Sequence, residues 1–494
     1  MTPTDTKSIL EKLGPSLEAI ADPNVRLIIT QIIEAQRQEI ALLKQKIEEL
    51  EEKLKTNSKN SSKPPSSDGF KKEEPKKKKK KGKNKRKQGG QPGHRGVSQD
   101  YLPLESVDKI EKISPPKECP CGALVIPTSD YKRHQVHDLP LIKPFVTEWQ
   151  LYMGTCCGCG KKHMAELPPG VPRGFLGLRP LAMIGTLTGD YRMSKRNVTF
   201  LLEDFFGLRV SLGTVSNAEK IVSKALELPV QEAKDFIPQQ DVVHGDETSH
   251  AECGQKMWTW AFIAARVAAF VIRPSRGSQV AKDFLGETFQ GILNTDRWSA
   301  YTWLAAIFRQ ICWAHLLRDF RKISERRGLS KRLGKDLLEL THEMFSHWNK
   351  VRDGTLSRMQ FQELMKPIRI HVEDLLTQGT QCKHNKTKGM CKQILKLKQA
   401  LWTFVDKEGV EPTNNLAEQT LRRIVIWRKT SFGTQSSRGT LYLERIMTVV
   451  ATCKLQKRNV LDFVTQAIQA HFSNTELPSL LPSYPKPISL PLAA

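Results

Sequence analysis

From Gln255 the chain reads QKMWTWAFIAAR and then VAAFVIRPSRG, two apolar stretches rich in aromatic and β-branched residues, parted by a tight turn near Ala265 and Arg266. Runs of this kind with so short a break pair as neighbouring antiparallel strands. With DVVHGDE before them they form a three-stranded meander. The period then changes: SQVAKDFLG has helical spacing, GILNTD is a short buried strand, SAYTWLAAIF returns as a helix and RQICWAH as another strand. The resulting order, β-β-β-α-β-α-β, is a mixed five-stranded sheet with helices. Right-handed crossovers allow the fourth strand to lie beside the first.

That topology gives meaning to three acids. Asp246 in VVHGDETSH lies on the first strand and Asp296 in GILNTDRWSAY ends the fourth. Glu418 in PTNNLAEQTLRR follows 122 residues later, on a helix whose start is marked by Pro412, Thr413, Asn414 and Asn415. Alone, each has an ordinary reading: a carboxylate at a strand end is a solvated turn residue, and Glu418 with Arg422 is an i,i+4 surface pair. Together they match the needs of phosphodiester hydrolysis and transesterification. There, two hard cations roughly 3.5–4 Å apart activate the attacking oxygen and stabilise the leaving one. Carboxylates suit Mg²⁺, with Mn²⁺ as a substitute, because Mg²⁺ keeps several waters and needs few protein ligands.

Charge agrees with a polyanionic partner. The formal net charge is +25, and residues 71–100 alone contribute +10, from eleven Lys and two Arg against two Glu and one Asp. The run Lys76, Lys77, Lys78, Lys79, Lys80, Lys81 offers nothing apolar to bury and repels itself, so it is expected to be disordered and to track phosphates by counterion release. A solubilising tail or an RNA contact is the rival reading of this run.

N-terminal to that linker, Ile33, Ile40, Ile47 and Leu54 alternate with Ile29, Gln36, Leu43 and Leu50. This heptad seam predicts a parallel coiled-coil dimer, with the polar Gln36 fixing register, and a helix buried against its own protein is the rival reading. C-terminal to it, Cys119 and Cys121 in ECPCGAL and Cys156, Cys157 and Cys159 in GTCCGCGKKH, with β-like PFVTEWQLYMG between, read as a zinc ribbon. The expected structural Zn²⁺ ligands are Cys119, Cys121, Cys156 and Cys159, with Cys157 or His163 as substitutes. MSKRNVTFLLEDFFGLRVSLGTVSNAEKIVSKAL then has a helix, a turn at Gly207 and a second helix capped by Ser211 or Thr214. That outline is a helix-turn-helix, in which Thr214 and Asn217, with Ser216 and Lys220, face a groove while Arg192, Lys195 and Arg196 hold phosphates.

Residues 316–409 are amphipathic and helical and read as an insertion before the Glu418 helix, whose basic face, Arg422, Arg428 and Lys429 with Arg423, is a further DNA candidate. His315 reads as a structural histidine at a strand end, with a contact to substrate phosphate as the rival reading. The last twenty residues carry five prolines and are expected to be flexible. No signal sequence or membrane span is read, and the ten cysteines fit a reducing bacterial cytoplasm near the nucleoid.

DET followed by WTW, GILNTDRWSAY, CWAHLLRDF at 312–320 and NNLAEQTLRRIVIWRKTSFGTQSSRG together resemble the insertion sequence 66 family of bacterial transposases. So do NSKNSSKPPSSDG at 57–69 and GGQPGHRG at 89–96. The likeness spans nearly the whole chain. Departures are Gln419, where the family commonly has Arg, Arg423, where Pro is usual, and a one-residue gap in the first cysteine pair. The resemblance implies a ribonuclease-H-like DDE catalytic core with Asp246, Asp296 and Glu418 as its acids, terminal inverted repeats and target DNA as partners, and element-encoded accessory proteins.

The domain plan is therefore a coiled coil over 1–56, a basic linker over 57–100, a zinc segment over 101–170 and a helix-turn-helix region over 171–235. A catalytic domain follows over 236–315 and 410–472, interrupted by the insertion at 316–409, with a tail over 473–494. Two alternatives stay open: a dimeric zinc-containing DNA-binding regulator with an inactive core, and a structure-specific DNA nuclease.

Overall fold

The computed structural model describes residues 21–57, 59–61 and 100–482. The chain divides into two compact units, one of Met1–Phe70, Trp149–Thr199 and Val210–Ala494, the other of Lys71–Glu148 and Phe200–Arg209. Lys76–Lys81 lie outside the described residues.

Helix α1 (Pro23–Leu54) starts where Asp22 accepts the Asn24 N–H and Pro23 occupies the first turn. Its seam residues Ile40, Leu43, Ile47, Leu50 and Leu54 are exposed. The end of α1 is tied down: Glu52 receives Arg326 Nε at 3.0 Å and Lys386 Nζ at 2.8 Å, and buried Asn60 donates to Glu325 Oε2 at 2.7 Å. The linker expected from residue 57 thus begins as a docked turn.

In the smaller unit, Cys119 and Cys121 lie on a tight turn closed by Gly122 N–H to Cys119 O, 2.8 Å, with Gly122 at φ +87°. In the larger unit, strands β1 (Met153–Thr155) and β2 (Lys162–Met164) form a small antiparallel hairpin around Cys156, Cys157 and Cys159. The expected strand in PFVTEWQLYMG is confined to its last residues. Helices α2 (Leu178–Gly189), α3 (Lys195–Phe206), α4 (Leu212–Ala225) and α5 (Glu227–Phe236) follow, with Ser211 capping α4 by accepting the Thr214 N–H.

The central sheet contains β3 (Val242–Glu252), β4 (Gln255–Ala264), β5 (Val267–Arg273), β6 (Ile292–Thr295) and β7 (Arg309–Ile311), in the order β5-β4-β3-β6-β7. The first three pair antiparallel; β6 runs parallel to β3 and β7 parallel to β6. Both hairpin turns have two residues with positive φ, Cys253–Gly254 and Ala265–Arg266, as the twist of two-residue hairpins demands. Helix α6 (Ser278–Leu285) crosses from β5 to β6. SAYTWLAAIF, expected as a helix, is instead two 3₁₀ turns at Ser299–Tyr301 and Ala306–Phe308. The second correction is RQICWAH, where the strand stops at Ile311 and helix α7 (Trp313–Ser324) begins.

Helices α8 (Gly328–Arg352), α9 (Arg358–Gly379) and α10 (Asn385–Leu395) complete the insertion. Trp313, Phe320, Phe361, Trp402 and Phe404 are fully buried in one core with Ile292 of β6 and Ile311 of β7. Burial of side chains this large stabilises by roughly 1.5–3 kcal/mol each, so the insertion is fused to the sheet rather than hung from it. Helices α11 (Asn415–Ser431), α12 (Ser437–Leu455) and α13 (Val460–Ser473) end the fold.

Helix α12 lies along the outer edge of β5. The N–H groups of Ile272, Phe270 and Ala268 donate to Glu444 (2.6 Å), Thr448 (3.0 Å) and Thr452 (3.0 Å). Four helical residues rise about 6 Å and two strand residues about 6.7 Å, so the two ladders stay in step. At the other edge Phe404 N–H donates to Gln310 Oε1 and Thr403 Oγ1 to Arg309 O. The described start of the tail is anchored as well: Leu480 is fully buried and its N–H donates to Glu232. Flexibility is therefore not a property of the whole segment 473–494.

Candidate active site

Alternation along β3 sends neighbouring Asp246 and Glu247 to different surroundings. Glu247 is buried and fully engaged: Oε1 accepts Arg276 Nε and Nη2 at 2.9 and 2.7 Å, and Oε2 accepts the Tyr301 hydroxyl at 2.5 Å. Burial and the charge of Asp296 raise its carboxyl pKa, against the Tyr301 and Arg276 contacts. Asp246 is half-buried, and its Oδ1 accepts the Glu247 N–H at 2.9 Å. Burial, then the charges of Glu247, Asp296 and Glu418, push its carboxyl well above the usual range.

Asp296 follows β6 directly. Its Oδ1 accepts the Trp298 N–H at 2.8 Å, and buried Arg309 of β7 reaches its carbonyl oxygen at 3.4 Å. Burial pushes the Arg309 guanidinium down to about 10, while the nearby Asp296 charge works to keep it protonated.

Glu418 stands in the first turn of α11. The turn before it is stitched to the sheet. Asn294 Nδ2 donates to Glu411 O (2.8 Å) and Thr413 O (3.1 Å), and Trp313 N–H donates to Pro412 O (2.9 Å). Asn414, only 1 % exposed, donates Nδ2 to Gly245 O at 2.8 Å, pairs Oδ1 with His244 Nδ1 at 3.0 Å, and gives its N–H to Cys312 Sγ at 3.2 Å. Expected as a helix cap, its side chain makes no cap and spans to β3 beside Asp246. Burial holds His244 neutral, below the usual histidine range.

Sequence reasoning missed the immediate neighbours of Glu418. His315 Nδ1 lies 3.5 Å from Glu418 Oε1, and Arg318 Nη2 lies 3.7 Å from Oε2. His315 Nδ1 and Glu418 Oε1 are buried atoms without a hydrogen-bond partner. The available signal was the 3-4-3 spacing of Trp313, Leu316, Phe320 and Ile323, which puts His315 in the first turn of a helix rather than at a strand end. Among the described residues, Cys312, His315 and Glu418 form a group whose donor atoms lie within 4.8 Å of one another. Burial drives the Cys312 thiol up to about 11, so it is the weakest donor of the three. A hollow of about 220 Å³ is lined by Asp296, Arg297, Trp298, His315, Arg318 and Asp319, with Ser61 and Gln393.

The other sequence-derived residues lie elsewhere. Arg428 is held by Thr248 Oγ1 (3.2 Å) and Ser249 Oγ (2.6 Å) at the far end of β3. Arg422 is exposed, as is Lys429. Arg423 pairs with Asp190 at 3.3 Å and Lys195 with Glu219 at 2.7 Å. Arg192 has a positive φ of 60° and Arg196 is exposed. Thr214 and Asn217 line a hollow of about 860 Å³ with Pro168, Arg173, Phe175 and Phe472. Backbone N–H donors lower the thiol pKa of Cys121, through Ala123, and that of Cys156, through Cys159 and Gly158. Cys159 and Cys157 are exposed, and Cys119 is half-buried.

The sheet is mixed, with Asp246 on β3, Asp296 directly after its parallel neighbour β6, and Glu418 in the first turn of a helix whose leading Asn414 is bonded to β3. The chain belongs to the transposase IS66 family, whose sequence pattern matches residues 191–441. Residues 12–100 match a family of unknown function (DUF6444). It is also similar to an uncharacterized protein, y4qI, of Sinorhizobium fredii (strain NBRC 101917 / NGR234), at 27 % identity over 259 residues. That match covers 47 % of each chain, so this chain spans about half the length of the curated relative. Among the described residues no helix is long and apolar enough to cross a membrane.

Proposed function

We propose that this chain is a DDE-type transposase, a polynucleotidyl transferase that cleaves DNA at the ends of an insertion element and joins the freed 3′-hydroxyl to target DNA. One observation carries the reading: β3 pairs with β6 up to His244 and Asn294, two residues before Asp246 and Asp296, and Asn414, four residues before Glu418, bonds to Gly245 O at 2.8 Å. The strand order β5-β4-β3-β6-β7 supports a ribonuclease-H-like core.

The donor set fits divalent cations. The carboxylates are hard oxygen donors of the kind Mg²⁺ or Mn²⁺ takes, and Glu418 keeps an orphaned buried Oε1, whose neighbours within 4.8 Å are the donor atoms of Cys312 and His315 rather than the two aspartates. Asp246, Asp296 and Glu418 would hold the ions, which supply Lewis-acid activation of water or hydroxyl and of the leaving oxygen. The chain's own groups arrange the acids. Asn414 fixes the approach of α11, His315 and Arg318 lie 3.5 and 3.7 Å from the Glu418 carboxylate oxygens, and the Arg276–Glu247–Tyr301 chain locks β3 against the segment after Asp296. Arg422, Arg196 and the lysine run at 76–81 are proposed contacts to DNA phosphates. Structural Zn²⁺ on the cysteines is part of the proposal, and within each turn backbone N–H donors favour the thiolate of Cys121 and of Cys156. The exposed seam of α1 supports self-association.

Asp246→Asn, Asp296→Asn and Glu418→Gln, assayed on duplexes carrying the element's ends with its companion proteins present, should each abolish metal-dependent cleavage. DNA binding in Ca²⁺ should persist. Cleavage retained in all three would end the assignment.

A further inference from the structure

Outside the acids, the most unusual construction in the molecule is a column of alternating cations and indoles that ends at the lip of the carboxylate cleft. Lys256 Nζ lies 5.1 Å from the centre of the Trp258 ring; the Arg276 guanidinium lies 4.7 Å from that ring and 3.8 Å from Trp298. Arg276 is held in place by its two bonds to Glu247. Trp298 is fixed by its own N–H to Asp296 Oδ1, 2.8 Å, and by its indole N–H to Arg276 O, 3.3 Å. Despite these restraints it remains 37 % exposed.

Trp298 also separates two hollows. On one side is the cleft shared with Asp296, His315 and Arg318; on the other is a hollow of about 330 Å³ lined by Arg276, Gly277, Ser278, Ser299 and Ala300. A rigid, partly exposed indole backed by a guanidinium is the arrangement on which bases of unpaired nucleic acid stack. The serine hydroxyls supply donors and acceptors for a base edge. Taking a base out of the duplex stack costs a few kcal/mol, which stacking on an aromatic ring offsets.

We propose that Trp298 is a stacking platform for one unpaired nucleobase beside the phosphate at Asp296, with the Arg276–Ser278 hollow receiving it. The proposal rests on the transposase reading of the carboxylate site.

The test uses the full chain with duplexes of the element's ends, carrying 2-aminopurine at successive positions and held in Ca²⁺ so that unstacking is read without cleavage. Wild type should change the fluorescence of one position next to the cleavage point, and Trp298→Ala should lose that signal while its DNA affinity stays within about twofold. In Mg²⁺, Trp298→Ala should cut the paired end about tenfold to hundredfold more slowly, the range that one lost stacking contact implies. It should regain most of that rate on a duplex made abasic at the signalling position. Trp298→Phe should keep most activity and Trp298→Leu should not, which separates stacking from apolar bulk if the alanine variant melts early. An equal penalty on paired and abasic ends, or no responding position in wild type, would overturn the platform. The Asp246→Asn control keeps the two readings apart. If Asp246→Asn is dead and Trp298→Leu cuts as wild type, the platform fails alone; if Asp246→Asn cuts normally, the carboxylate reading fails.

Discussion

Asp246 sits on β3 and Asp296 directly after its parallel neighbour β6, where backbone register sets them, whereas Glu418 rides a helix tied to the sheet by the side chains of Asn294 and Asn414 and by the Cys312 thiol. The first half of the site is as stable as the sheet. The second rests on the buried face of its helix, Ala417, Leu421 and Ile424, and on a few polar contacts, each worth about 1 kcal/mol net but more when its loss strands a buried group. The glutamate half is therefore where the site can be loosened without unfolding the core.

The strongest way to probe that difference is chemical. Asp296→Asn leaves the strands paired and should remove cleavage entirely while shifting the melting temperature little, as read by calorimetry beside the nicking assay. Asn414→Ala should act on the other half. It leaves Gly245 O and His244 without partners and should cost about 1–3 kcal/mol of stability, with a cleavage loss of about tenfold to hundredfold from a misplaced Glu418. An Asn414→Ala protein that cuts normally would show that the helix is positioned by packing alone.

A pH titration sharpens the comparison at the far end of α11. There Arg428 grips Ser249, and His250 stacks on Trp427 at 6.3 Å. Burial, then the Arg428 charge, pushes His250 down to about 4. Its folded-state pKa lies below the unfolded value near 6.5, so the unfolded chain binds the proton first. The stability contribution is complete above about pH 6.5 and falls away by up to about 3 kcal/mol as pH drops toward 4. Urea melts at pH 7.5 and 4.5 should show a smaller fall for His250→Gln than for wild type. The smallest effect is expected in the sheet. Ala265→Asn with Arg266→Gly places residues suited to the two positive φ values at that turn, and should raise stability by about 1 kcal/mol with cleavage unchanged.

The same division explains what could be read from the sequence. The meander and its turn at Ala265–Arg266 were legible, because aromatic and β-branched runs broken by two residues have few other solutions. The three acids stood out as punctuation in apolar stretches, and their shared role is a proposal. The 3₁₀ turns were misread as a helix because Tyr301 and Leu304, buried three apart, satisfy either period. Glu247, Arg276 and Tyr301 were not singled out, since an ion pair between residues 29 apart in sequence leaves no local mark. Asn414 read as a cap from its type, and only the neighbouring strand reveals that its amide serves the site. The docking of Asn60 and Leu480 escaped notice because both lie in stretches whose composition suggested linker or tail.

The side chains of α12 along β5, and of Thr403 and Gln310 at β7, carry one more consequence. Both borders of the sheet are already occupied by the chain's own groups, so neither offers a template on which another strand could add. Two copies of this chain cannot merge their central sheets into one across these borders.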